Sequence, residues 1–324
     1  MTDPQPASTM APLLDGIAGS EWLITAPGIY SITSEQYHGH PTPTPCLGST
    51  GARLLVNTCP AEFRYKADNP EVKTEFDIGN ATHLLVLQPE DFDKKVGVVR
   101  GVTKDGKPSG GYQTQDAKDQ AAAYRAANRI PLLVDQYDKV CAMRASVFNH
   151  PIAGRAFQDG EAEQSLFWKH PEFGFWGKTR PDYWPERRPY LVDLKTSVSA
   201  APDDFSKAVV NYGYHQQCAW YLDGVAAITG ENPDRFAFVV VEKEPPYLVS
   251  VCWLDSAAIE WGRILNRRAA GVFAWCLEHD RWPGFQPDVA QAPAAFNVSL
   301  PVWALRDLER RFEAGEFNVP QEQV

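Results

Sequence analysis

The sequence lacks the cysteine pairs that mark a metal ribbon. Its six cysteines stand at 46, 59, 141, 218, 252 and 276, and no two form a C-x-x-C. That spacing excludes a zinc ribbon and a four-cysteine iron–sulfur cluster, and fits free thiols in a reducing compartment. No run approaches the ~20 apolar residues of a membrane helix. The opening MTDPQPASTMAPLLDG has Asp and Pro where a secretion signal carries basic residues, so a cytoplasmic protein is expected. Positive charge is scarce: 31 Lys and Arg stand against 41 Asp and Glu, a net charge of −10. Such a chain does not coat nucleic acid with its whole surface, although a local basic groove remains compatible. There is no internal repeat.

Apolar and aromatic residues are plentiful, at 44% and 12% with ten Trp among 324 residues. That suffices for one large domain or two small ones with a sizeable core. Residues 1–27 read as a loose tail, rich in Pro, Ala and Ser. Residues 28–155 read as mainly helical. One helix starts near Ser49, and another begins at Pro60. A third runs from about Glu71 to Leu87. Two more flank Pro131, and an exposed loop spans 94–115. From Glu161 the texture changes. EQSLFWKH, FGFWGKTRPDYW and PYLVDLKTS are short, aromatic and β-rich, and read as a β-meander. PDDFSKAVVNYGYHQQCAWYLDG reads as one helix, capped at Asp203 or Asp204 and stopped by Gly224. Two strands and a long helix follow, and a Pro-rich extension over 286–324 carries a short helix. This order predicts an α/β (α+β) fold with a central mixed sheet flanked by helices.

Within PYLVDLKTS, two charges interrupt an apolar strand. Alternation puts Asp193 and Lys195 on one face and Val192, Leu194 and Thr196 on the other. The apolar face can bury while the charged one lines a cleft. Asp182 lies across the PERRP turn, where antiparallel pairing can bring it beside Asp193. Two such carboxylates would not both ionise unaided, and a divalent cation removes the conflict. The bland alternative is an ion pair at a strand edge. Glu163 is either a third carboxylate of the cleft or an exposed strand start. Gln217 and Tyr221 share a helix face, with Tyr214 one turn before; they are either site residues or part of an amphipathic helix. His83, four residues after Gly79, is either a core histidine or a ligand.

Taken in order, these segments resemble the PD-(D/E)xK nuclease superfamily, and more narrowly the RecE (exodeoxyribonuclease VIII) family of phage and prophage exonucleases. The resemblance runs from about Tyr30 to Phe285. It rests on CPAEFRY, GNATHLLVLQPEDF, GEAEQSLFW, GKTRPDYW, YLVDLKTS, HQQCAWYLDG, FVVVEKEPPYLVSV and RWPGF. It implies a single nuclease domain over 28–285, whose catalytic sheet and helices occupy 156–285. It further implies Mg²⁺ or Mn²⁺ held by Asp182, Asp193 and the Leu194 carbonyl, with His83 and Glu163 completing the site. Lys195 would position the attacking water, and Gln217 and Tyr221 would hold the Lys or the DNA backbone. The implied reaction is hydrolysis of linear double-stranded DNA, from 5′ ends in this family. The implied assembly is a homo-oligomeric ring working with a strand-annealing protein in the bacterial cytoplasm. Lys178, Arg180, Arg187 and Arg188 form the nearby positive cluster expected to meet DNA without reading sequence. The chain carries no G-x-x-x-x-G-K-[ST] helicase motif, and nothing in 115–150 matches the family. Two other readings stay open: a restriction- or repair-type endonuclease on the same core, and a catalytically silent protein that binds DNA ends.

Overall fold

In the computed structural model, which describes residues 22–69, 77–186, 190–231, 233, 235–286 and 288–318, the chain forms three sheets. The strands are β1 (Gly28–Tyr30), β2 (Cys46–Leu47), β3 (Val96–Val99), β4 (Ile130–Leu133), β5 (Gly160–Ala162), β6 (Ser165–Lys169), β7 (Trp176–Thr179), β8 (Tyr183–Pro185), β9 (Tyr190–Ser197), β10 (Arg235–Glu242) and β11 (Val249–Trp253). The largest sheet has the order β11-β10-β9-β8-β5 and is mixed: β9 and β10 run parallel, and the other pairs are antiparallel. Central parallel strands are covered on both faces and so carry near-continuous apolar runs. Phe236 to Val241 of β10 are accordingly all buried. On one face Val192, Leu194, Ala237 and Val239 pack with Met143 and Val147 of the helix Val134–Asn149. On the other, Leu191, Phe236 and Phe238 pack with Leu222 and Val225 of the helix Tyr214–Thr229. Asp193 and Lys195 point to this second face.

The β-meander expected from Glu161 does not form. β6 and β7 belong to a second sheet, β1-β6-β7-β2, while β8 and β9 belong to the large one. The chain changes sheet at Arg180 and Pro181, and Asp182 sits at that crossing. The single helix expected over 202–224 is two helices, Pro202–Tyr212 and Tyr214–Thr229. Gly213 separates them at φ +65°, a left-handed conformation that glycine adopts without steric cost. The first of these helices is capped at Ala201, with Pro202 in its first turn, while Asp203 and Asp204 sit beside the positive helix end. Gly224 does not stop the second helix. A Cβ there would lie 2.7 Å from the Trp168 ring, so the glycine seats the helix on β6, and the stop is Gly230. Pro131 lies inside β4, which pairs with β3 in a two-stranded parallel sheet; β3 occupies 96–99 and is largely buried, so the loop expected over 94–115 begins only after it.

The helix expected from Glu71 is described from Asp77 to Leu87; the preceding residues, and the tail to residue 21, lie outside the described residues. The chain divides into two compact units, Met1–Gly284 and Phe285–Val324. The second carries the helix Val302–Glu313, in which no residue is buried. Among the described residues no helix is long and apolar enough to cross a membrane. All six cysteines are free.

Candidate active site

Strand β9 carries the first candidate side chains. Pairing of Tyr183 with Val192 sets Asp182 next to Asp193 across the β8–β9 ladder. The Leu194 N–H donates to Asp182 Oδ2 at 2.7 Å, and His83 Nδ1 lies 3.4 Å from the same oxygen. His83 comes from the helix Asp77–Leu87, which approaches the end of β9 at Gly79. A Cβ on Gly79 would lie 3.2 Å from Thr196 Oγ1, so the glycine admits the strand rather than a ligand. Lys195 Nζ meets Asp193 Oδ2 at 2.5 Å and lies 4.7 Å from the Tyr214 ring centre. Gln217 Nε2 donates to Asp193 Oδ1 at 2.5 Å. Asp193 is 1% exposed, so it sits behind the cleft, clamped by the Lys and the Gln, and does not line it. Asp182, Leu194 and Lys195 form the cleft wall, with Tyr221 beside them.

Glu163 follows β5 with φ +57°, a conformation that costs a residue with a side chain roughly 1–2 kcal/mol. Its N–H donates to the Asp182 carbonyl at 3.1 Å, which ties it to the site. Its carboxylate is taken by Arg180, whose Nη1 also donates to the Ile32 carbonyl and to Ser165 Oγ, both at 2.9 Å. Arg180 is therefore not a free phosphate contact. Its planar fork is spent on bracing Glu163 against the segment before residue 33. Lys178 points away from the cleft and donates to the Tyr37 carbonyl at 2.8 Å. Arg187 and Arg188 lie outside the described residues.

Burial first, then the charges of Asp193 and Glu163, push the Asp182 carboxyl well above its ordinary range. Burial raises Glu163 as well, against the pull of Arg180. Burial opposes the Lys195 charge, but Asp193, Asp182 and Tyr214 outweigh it and hold the ammonium above its usual value. His83 is lowered to about 4 by burial and by Lys195, so its imidazole is neutral near pH 7. Burial, with Asp193 and Asp182 nearby, takes the Tyr221 phenol up to about 12. Asp91, Glu163 and Asp182 line the cleft together with Lys95, Arg180 and Lys195, and Asp193 stands behind it. The donors of the cleft are carboxylate and carbonyl oxygens with one neutral imidazole, a set that suits Mg²⁺ or Mn²⁺. Among the described residues no three His, Cys, Asp or Glu side chains stand ready around one point. A cation here would complete its shell with the Leu194 carbonyl and water.

Residues from Ser31 to His38 also line the cleft. This stretch holds the short helix Ser34–His38, whose Thr33 and Gln36 form a capping box. The T-x-x-Q spacing was the signal that could have found it.

A mixed sheet that carries D-x-K on a central strand, with a carboxylate on the strand beside it, defines a PD-(D/E)xK-type core. The comparisons agree with that class. Residues 55–288 match the family described as PDDEXK-like domain of unknown function (DUF3799), and the chain belongs to that family. A candidate exonuclease from Eubacterium rectale has the same fold, with TM-score 0.53 and 13% identity over 85% of this chain and 98% of that one. An alkaline exonuclease from Laribacter hongkongensis, 13% identical over 62% of this chain and 91% of that one, superposes too loosely to argue from, at TM-score 0.24. No protein of curated function matches in sequence. The resemblance to the PD-(D/E)xK superfamily holds, in the family model and in the fold.

Proposed function

We propose that this chain is a divalent-metal-dependent exonuclease that hydrolyses linear double-stranded DNA from 5′ ends. The observation that carries the reading is the joint placement of Asp182, the Leu194 backbone and the Lys195 ammonium on the wall of a cleft of about 880 Å³. Asp182, the Leu194 carbonyl and, after release from its clamp, Asp193 would hold Mg²⁺ or Mn²⁺, with His83 beside them. When bound, the ion would neutralise the scissile phosphate and acidify a water molecule. Lys195 is an ammonium, so it donates hydrogen bonds to water or phosphate and is not a base. Gln217 fixes the Asp193 rotamer, and Tyr221 stays a neutral donor at the cleft wall. Glu163, engaged by Arg180, acts through charge on Asp182. In the same proposal the enzyme makes single-stranded DNA for phage-type recombination in the bacterial cytoplasm, as a ring of copies beside a strand-annealing protein. The domain would span 28–285.

The test is a time course with Mg²⁺ on end-labelled linear duplexes beside a closed circle. Linear DNA should shorten from labelled 5′ ends, the circle should survive, and EDTA should stop the reaction. Cutting of the circle would move the assignment to an endonuclease. Absence of any metal-dependent digestion would leave only a DNA-end-binding role.

A further inference from the structure

An aromatic row leads from the core to the surface beside Lys195. Phe205 and Phe238 are buried, with ring centres 5.3 Å apart. Tyr214 stacks on both, at 5.8 and 5.6 Å, and its own ring centre lies 4.7 Å from Lys195 Nζ. Tyr212 ends the row, its ring centre 5.6 Å from that of Tyr214 at an interplanar angle of 31°. It is 62% exposed. A single exposed ring is ordinary. What sets Tyr212 apart is how it is held and where.

Tyr212 closes the helix Pro202–Tyr212, and Gly213 turns the chain at φ +65° into the helix Tyr214–Thr229. The Gly213 N–H returns to the Val209 and Val210 carbonyls. The Tyr212 carbonyl, an orphan of the helix end, accepts from Arg53 Nη1. Arg53 comes from the helix Ser49–Asn57, 159 positions away, and its Nη2 donates to Thr50 Oγ1 at 3.1 Å. Among the described residues no carboxylate forms an ion pair with Arg53, so its guanidinium serves to fix the backbone that carries the Tyr212 ring. A ring on a fixed backbone loses little freedom when it binds.

The location follows from the sheet. In the order β10-β9-β8, Asp182 adjoins β8, Lys195 stands on β9 and Tyr214 packs on Phe238 of β10. Asp182, Lys195 and Tyr214 therefore run across the strands, and Tyr212 adjoins the last of them. A strand with a phosphate at Lys195 brings its neighbouring base within reach of the Tyr212 ring. From Phe205 to Leu222 the chain contains no Asp or Glu, so nothing on this stretch repels a nucleic-acid backbone. Every base has a flat π-face, and aromatic side chains hold it without reading sequence.

We propose that the Tyr212 ring stacks on the base adjoining the phosphate at Lys195 and so steers the strand that is hydrolysed. The inference deepens the nuclease reading and rests on it for the path of the strand. The base is of any identity and is separated from its complement, because a base inside a duplex is closed off by its neighbours in the stack.

The full-length chain in EDTA is titrated with single-stranded oligonucleotides that carry the fluorescent base 2-aminopurine at successive positions from one end. Stacking quenches this base. The wild type should quench one position more than its neighbours. Tyr212→Ala should lose that quenching and bind about ten-fold more weakly, whereas Tyr212→Phe, which keeps the ring, should keep both. An abasic residue at the quenched position removes the stacked group from the DNA, so wild type and Tyr212→Ala should bind that strand alike. Equal quenching by wild type and Tyr212→Ala overturns the stack, as does a ten-fold difference that persists on the abasic strand, or a wild type that binds no strand. Failure of the nuclease reading shows separately: the linear-duplex time course would find no digestion while the quenching, and its loss in Tyr212→Ala, remain.

Discussion

The two cavities that meet at Tyr37, His38 and Tyr221 use burial in opposite senses. In the cleft, burial raises Asp182 and Glu163, so the acids there resist ionising. In the neighbouring cavity, of about 280 Å³, the same loss of water lowers Lys178 and His38, so the bases there resist protonation. Desolvation penalises whichever charge a site concentrates. Tyr37 and Tyr221 line both cavities, and burial raises both phenols, so neither carries charge near pH 7. An overall balance of −10 does not register such sorting.

The contrast can be broken most forcefully at Lys195, the ammonium that meets Asp193. Lys195→Met should slow digestion of linear duplex by about 10³-fold, measured as initial rates, with the fold intact by circular dichroism. Retention of a tenth of the rate would mean that the cleft does not need its cation. Next comes the brace between the sites. Arg180→Ala strands Glu163 in a partly buried position and should cost roughly 3 kcal/mol in denaturant unfolding. Lys178→Met should cost less than about 1 kcal/mol, because it leaves no carboxylate unpaired. Equal costs would show that the two cations are not differently committed.

A third experiment sharpens the contrast through ligands. Mg²⁺ at ten times its dissociation constant should add ~1.4 kcal/mol of stability through the cleft. Asp182→Asn should remove that gain. Retention of the gain by that variant would mean that the ion is held elsewhere.

The smallest effect is a pH dependence. His83 has a folded value of about 4 against its ordinary 6.5. On acidification the unfolded chain takes up this proton first, so the contribution weakens stability as pH falls from 6.5 towards 4. Raised Asp182 and Glu163 act with the other sign: their protonated forms stabilise the fold in acid, and that gain is lost as pH rises through their folded values. The His83→Gln variant should therefore gain on the wild type as pH falls. The gain should be about 1 kcal/mol, discounted because 31% of the His83 side chain faces solvent. Parallel stability–pH curves for the two proteins would show that His83 is not held neutral.

Much of the acidic site is legible in the linear order of residues. D-x-K places Asp193 and Lys195 on one face because strand alternation is a local property, and Gln217 and Tyr221 share a helix face for the same kind of reason. The same reasoning fails wherever the partner is remote. PYLVDLKTS reads as the third strand of a meander, yet the chain changes sheet at Arg180 and Pro181. The helix over 202–224 reads as continuous, because the spacing of apolar residues carries across Gly213 while the left-handed backbone there turns the chain. Lys178 and Arg180 read as a basic patch. Their partners, the carbonyls of Tyr37 and Ile32, lie 141 and 148 positions away.

From the sequence alone came the fold class and the identity of the charged residues at β9. Both follow from periodicity, turn chemistry and composition, which act over a few residues. Only the tertiary structure decided that Asp193 is clamped behind the cleft, that Arg180 serves Glu163 and that Lys178 turns to the Tyr37 carbonyl. Those outcomes depend on which distant segments exclude water together. In that low-dielectric setting the nearest opposite charge or carbonyl, not the nearest residue in the chain, determines what each side chain can do.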